Sequence, residues 1–139
     1  MGATDVRPGQ GDVDEARVRL GQLAQLQGQG RYAEAMRESR AAAAQALQGL
    51  LRLLGVEPPQ EQDVTRVLAA RRDHLPPTVA RHLKEIRRIA KPLRGDQEGA
   101  GELAYDEADM DSATEAIELA GLVVSWVEAG VRELEGRAG

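Results

Sequence analysis

Three observations predict an all-α fold, an antiparallel up-and-down bundle of four to five helices. Apolar residues recur at helical rather than alternating spacing along most of the chain. Aromatics are 2% of the residues against 42% hydrophobics, so the core must come from Leu, Val, Ile and Ala, which suits closely packed helices better than sheets. Each apolar run is also bounded by Gly or Pro where a helix would stop. The 139 residues suffice for one core without a covalent staple. We expect a disordered tail over residues 1–11, a single domain over 12–136 and a short C-terminal tail over 137–139.

The first helix is expected over 13–27, with Val13, Ala16, Leu20, Leu23 and Leu26 on one face. Asp12 with Glu15 offers a variant capping box, and Gly28 and Gly30 end the run. The second, YAEAMRESRAAAAQALQGLLRLL over 32–54, buries Tyr32, Met36, Ala43, Leu47, Leu51 and Leu54 and leaves Glu34, Arg37, Glu38, Arg40 and Arg52 in water. Gly55 supplies a left-handed cap and Pro58-Pro59 prevents re-entry. A short third helix over 63–73 buries Val64, Val67 and Leu68, closed by Leu75-Pro76-Pro77. Pro77 starts a fourth, whose Val79, Leu83, Ile86, Ala90 and Leu93 share a face and which Pro92 kinks or breaks. The segment GDQEGAGELAYDEADMD reads as a loop, after which Ser112 and Glu115 form a second capping box. The last helix, over 113–135, turns Ala116, Ile117, Ala120, Val123, Val124, Val127, Val131 and Leu134 inward.

Several chemistries lack their residues. Cysteine is absent, which excludes disulfides, thiolate metal sites and a catalytic thiol, and fits a cytoplasmic protein. The polar, Gly-rich MGATDVRPGQGD is neither a signal nor a transit peptide, and no apolar run reaches the about 18 residues of a membrane span, so a soluble chain is expected. The sequence GDQEGAG lacks the strand and the Lys-Ser/Thr ending of a phosphate loop. Two histidines without cysteine make a poor metal-ligand set, so neither metal nor cofactor is expected.

Charge is laid out in blocks despite a formal net charge of −5. Arg66, Arg71, Arg72, Arg81, Lys84, Arg87, Arg88, Lys91 and Arg94 crowd the third and fourth helices, and a run of acids from Asp96 to Glu118 follows without a base among them. Such blocks have two readings. The basic face can attract phosphates of a nucleotide or of RNA, or it can neutralise the acidic segment of the same or a second chain. For the first reading the candidate ligand-binding residues are Arg81, Lys84, Arg88, Lys91 and Arg94, the first four in steps of three or four along one helical stripe, with Tyr105 as a possible stacking or packing ring.

The Tyr32–Leu54 stretch with its Gly55 cap, the EPPQEQDV that follows and TEAIELAGLVVSWVE near the end together resemble a HEPN domain, over roughly residues 30–128. The resemblance implies a helical bundle that forms homodimers, stands beside a nucleotidyltransferase partner and serves toxin–antitoxin-like or defence systems. Many family members are metal-independent ribonucleases. Their site pairs an Arg with a His about four to six residues later, the His to move a proton and the guanidinium to hold the phosphorane charge. Here the corresponding segment is GELAYDE, with Gly101 and Asp106 where Arg and His would stand and only Tyr105 as an echo, so no catalytic residue is assigned.

His74 in the RRDHLPP turn and His82 beside Arg81 have the wrong spacing for that pair and read as solvated helix residues. Trp126 reads as core or interface. The expectation is therefore a catalytically degenerate module that binds a nucleotide or another protein. The alternatives are a ribonuclease with a displaced site and a purely structural dimer.

Overall fold

A computed structural model describes residues 9–58, 64–90 and 109–138. Among these the chain forms six α-helices and no strand: α1 Gln10–Gly28, α2 Tyr32–Leu53, α3 Val64–Ala70, α4 Pro77–Arg81, α5 Leu83–Ala90 and α6 Met110–Ala138. The all-α bundle is the fold class its composition predicts.

Side-chain bridges fix the directions of the long helices. Near its start α1 pairs Asp12 with Arg52 at the end of α2, and further along Gln45 donates to Glu15 at 2.7 Å while Arg19 donates to Gln45 at 2.9 Å. These two helices are therefore antiparallel. On the other side Arg17 reaches Glu128 of α6, whereas Gln27 reaches Met110 and Thr114, so α1 is antiparallel to α6 as well. Pro76 and Val79 lie against Gly130, His82 lies against Trp126, and Ile89 approaches Ser112 and Ala116, so α4 and α5 run back against α6. The result is up, down, up, down, with α3 and a 3-10 turn over Arg72–His74 making the return at one end.

The core follows the apolar stripes. Leu23, Leu47, Leu50, Leu51, Leu68, Val79, Ile86, Val123, Val124 and Val127 are fully buried. Burial of each such side chain contributes about 1.5–3 kcal/mol before the entropy of ordering is subtracted. Between them Ala16, Ala42, Ala43, Ala46 and Ala120 let helix backbones approach. Gly49 carries this furthest: a Cβ there would stand 2.6 Å from Gly9 O and 2.9 Å from Val13 Cγ2, so the first turn of α1 rests directly on α2.

The helix ends depart from several expectations. Gly55 does cap α2 at φ +84, with Val56 N–H bonding Leu51 O and Gly55 N–H bonding Arg52 O, the paired bonds of a Schellman ending. Gly30 at φ +77 ends α1 in the same way, with Gly28 still helical. Asp12 and Glu15, however, form no capping box: α1 starts earlier, Gly9 is its N-cap, and both acids instead reach α2. Ser112 is not the cap of the last helix either. Asp109 takes that place, accepting from Ser112 N–H at 2.8 Å, and this bond holds its carboxyl below the usual carboxylate range. The third helix stops at Ala70 rather than continuing to Asp73, and the fourth is two helices, because His82 (φ −103, ψ 13) interrupts it. Tyr32, Met36 and Leu54 on the predicted apolar face of α2 are only half-buried. Leu93 and Pro92 lie outside the described residues.

Carboxylates of α6 tie down both the return segment and α1. Glu133 of α6 accepts from Thr78 N–H at 2.9 Å and from the Thr78 hydroxyl, supplying the N-terminus of α4 with the cap its own sequence lacks. The Arg17 guanidinium donates to both carboxylate oxygens of Glu128, at 3.1 and 2.6 Å, and to Ser125 Oγ at 3.1 Å, and the hydrogen bond to Glu128 raises its pKa further.

Candidate functional site

Cations gather where the return segment faces water. Val79, Leu83 and Ile86 must turn inward to complete the core, and that leaves Arg81, Lys84, Arg87 and Arg88 on the outer sides of α4 and α5. The Arg72–His74 turn folds beside them and adds Arg72. These five cations line one open groove of about 520 Å³, with Ala80 and Leu83 as its apolar walls. All five are exposed, and none makes an ion pair with a carboxylate among the described residues. Glu85, four residues after Arg81 and three before Arg88, pairs with neither.

Of the predicted ligand-binding residues, the structure brings Arg81, Lys84 and Arg88 together in this groove. Lys91, Arg94 and Tyr105 lie outside the described residues, as does GELAYDE. Arg72 and Arg87 are members that the stripe reasoning left out. Arg87 sits on the next row of the same helix, and Arg72 enters only because the RRDHLPP turn doubles back, which no helical period encodes.

The two histidines have different surroundings. His74 is exposed in the 3-10 turn, its amide bonded to Arg71 O at 2.8 Å. His82 is not a solvated helix residue. It is half-buried and stacked flat on Trp126, with ring centroids 4.2 Å apart and an interplanar angle of 7°. Trp126, expected in the core or an interface, is likewise half-buried in that stack.

A second cavity, of about 260 Å³, opens between α2, α5 and α6, where Met36, Ala43, Ile89 and Leu119 give it an apolar lining. Ser39 at its wall already donates to Met36 O at 2.7 Å. Among the described residues no cluster of three or more His, Asp or Glu could hold a metal ion, and no helix is long and apolar enough to cross a membrane.

Among the described residues the polar side chains lining the groove are donors only. Guanidinium and ammonium groups accept no hydrogen bond, so this arrangement of side chains can hold anions.

Comparison with known proteins gives a single finding. No curated protein and no solved structure matches the chain. The family model of the HEPN domain matches residues 13–130, from the first turns of α1 to the late turns of α6, including every helix that frames the groove. The chain belongs to the HEPN domain family.

Proposed function

We propose that this chain is a non-enzymatic phosphate-binding module, taking a nucleotide or RNA in the groove that the outer side of α4 and α5 forms with the Arg72–His74 turn. The observation that carries the reading is the set of five exposed cations, Arg72, Arg81, Lys84, Arg87 and Arg88, lining one groove without a carboxylate partner among the described residues. Simple helix electrostatics accounts for part of the set. Arg81 is in the last turn of α4, and Arg87 and Arg88 are in the last turn of α5, where a cation gains about 0.3–1 kcal/mol from the helix dipole. Lys84 has no such reason. It stands in the first turn of α5, at the positive end of the dipole and among like charges, so an anion is what would stabilise it.

Binding should be measured by fluorescence anisotropy of a labelled single-stranded RNA as salt is raised. The reading expects affinity to fall steeply, since each neutralised phosphate releases condensed counterions. Absence of binding at low salt would refute it.

Alongside this we propose a homodimer, with a nucleotidyltransferase-domain protein as the further partner that the family suggests. Leu122, 45% exposed on the outer face of α6, and Val18, 58% exposed on α1, support a covered face. Light scattering should give twice the 15.0 kDa chain mass at micromolar concentration, and a 15.0 kDa species would contradict the dimer.

A further inference from the structure

The chemistry of the groove walls narrows its ligand. Each polar group there, the guanidinia of Arg72, Arg81, Arg87 and Arg88 and the ammonium of Lys84, is a donor without an acceptor. The Watson–Crick edges of the bases mix donors with acceptors, so side chains that only donate leave base amino groups unanswered, and only the O6/N7 edge of guanine offers them acceptors alone. The remaining described walls, Ala80 and Leu83, are aliphatic, and among the described residues no aromatic ring lines the groove to act as a stacking platform. The described tryptophan and tyrosine are elsewhere: Trp126 is stacked on His82, and Tyr32 begins α2. A guanidinium can itself lie on a base, but every base presents a π-face, so that contact selects none.

The cations are also spread out rather than focused on one point. Arg81, Lys84 and Arg88 climb the same side of α4 and α5, and at about 1.5 Å per residue they span roughly 10 Å along the axis. That backbone spread matches a run of linked phosphates better than a single one.

Resting on the phosphate reading above, we infer that the groove binds contiguous phosphates and does not read the base attached to them. The same chemistry is presented by inorganic tripolyphosphate, by the triphosphate of any nucleotide and by the backbone of single-stranded RNA.

Isothermal titration of the full chain at low salt with phosphate, tripolyphosphate, AMP, ATP, GTP and UTP separates the possibilities. Tripolyphosphate and the three nucleoside triphosphates should bind within about threefold of one another and about tenfold or more tighter than phosphate or AMP, because affinity follows the number of linked charges. Lys84→Glu should weaken all of the tight binders by a similar factor. A preference of tenfold or more for one base overturns the inference while leaving phosphate binding intact; preference for GTP would mean an Arg held bidentate on the guanine edge. Tight nucleoside triphosphates with weak tripolyphosphate would overturn it too, since the nucleoside would then carry the affinity. No binding by any of the six sinks the groove reading itself.

Discussion

Gly49 offers a substitution whose outcome the packing decides against intrinsic propensity. Replacing a helical glycine by alanine normally stabilises by roughly 0.5–1 kcal/mol, because the unfolded chain loses conformational freedom and the helix gains a better former. At Gly49 the added methyl would meet Gly9 O at 2.6 Å and both Asp12 Cβ and Val13 Cγ2 at 2.9 Å, well inside ordinary contact. The first of these is a backbone oxygen that accepts Val13 N–H at 3.2 Å, so relief requires the start of α1 to move off α2. Overpacking of this kind costs about 1–3 kcal/mol, and with rigid neighbours on three sides the upper part of that range applies, for a net destabilisation of roughly 2 kcal/mol. Gly121 is the internal control, a glycine of α6 with no atom within 4 Å of its added Cβ, where alanine should stabilise by roughly 0.5–1 kcal/mol. Urea unfolding of Gly49→Ala and Gly121→Ala at unchanged m-value therefore separates the two by about 3 kcal/mol. Equal stability of the two variants would refute the close approach of α1 to α2.

Two further substitutions test the return segment. Glu133→Ala removes the carboxylate that caps α4 through Thr78 and should cost about 1 kcal/mol in urea unfolding; because the two residues share the bond, Thr78→Ala on top of it should cost much less than it does alone. His82→Ala should remove about 1 kcal/mol of ring stacking and shift the emission of Trp126, the chain's single tryptophan, to longer wavelength as water reaches its face. Unchanged emission would mean that the stack does not form in solution.

The elements of the bundle were legible in the sequence wherever a local signal decides them. Gly55 and Gly30 end their helices because only a left-handed residue closes that turn, and Pro77 begins α4 because its missing N–H is needed by no one there. Starts set by tertiary contact were not legible. Asp12 looks like a cap, yet the proximity of Arg52, forty residues away, gives its carboxylate a charged partner instead. Likewise the break at His82 leaves the apolar spacing of Val79, Leu83 and Ile86 undisturbed, so periodicity runs straight through it; the His82–Trp126 stack that accompanies it joins residues far apart in sequence. The candidate site divides in the same way. Arg81, Lys84 and Arg88 share one helical stripe and could be read together, whereas Arg72 joins them only through the folding of a turn.

Charge reversal at matched net charge tests whether the groove itself binds the anion. Arg81→Glu with Arg88→Glu alters the groove, and Arg66→Glu with Arg132→Glu alters two exposed cations outside its lining; each pair takes the formal net charge from −5 to −9, two units for each of two positions. Titration of both proteins with tripolyphosphate at low salt, after circular dichroism has shown equal helicity, isolates the local effect from the field of the whole molecule. The groove pair should lose binding by about tenfold or more while the control pair stays within about threefold of the unmodified chain. Equal loss in both pairs, or none in the groove pair, would contradict binding in the groove.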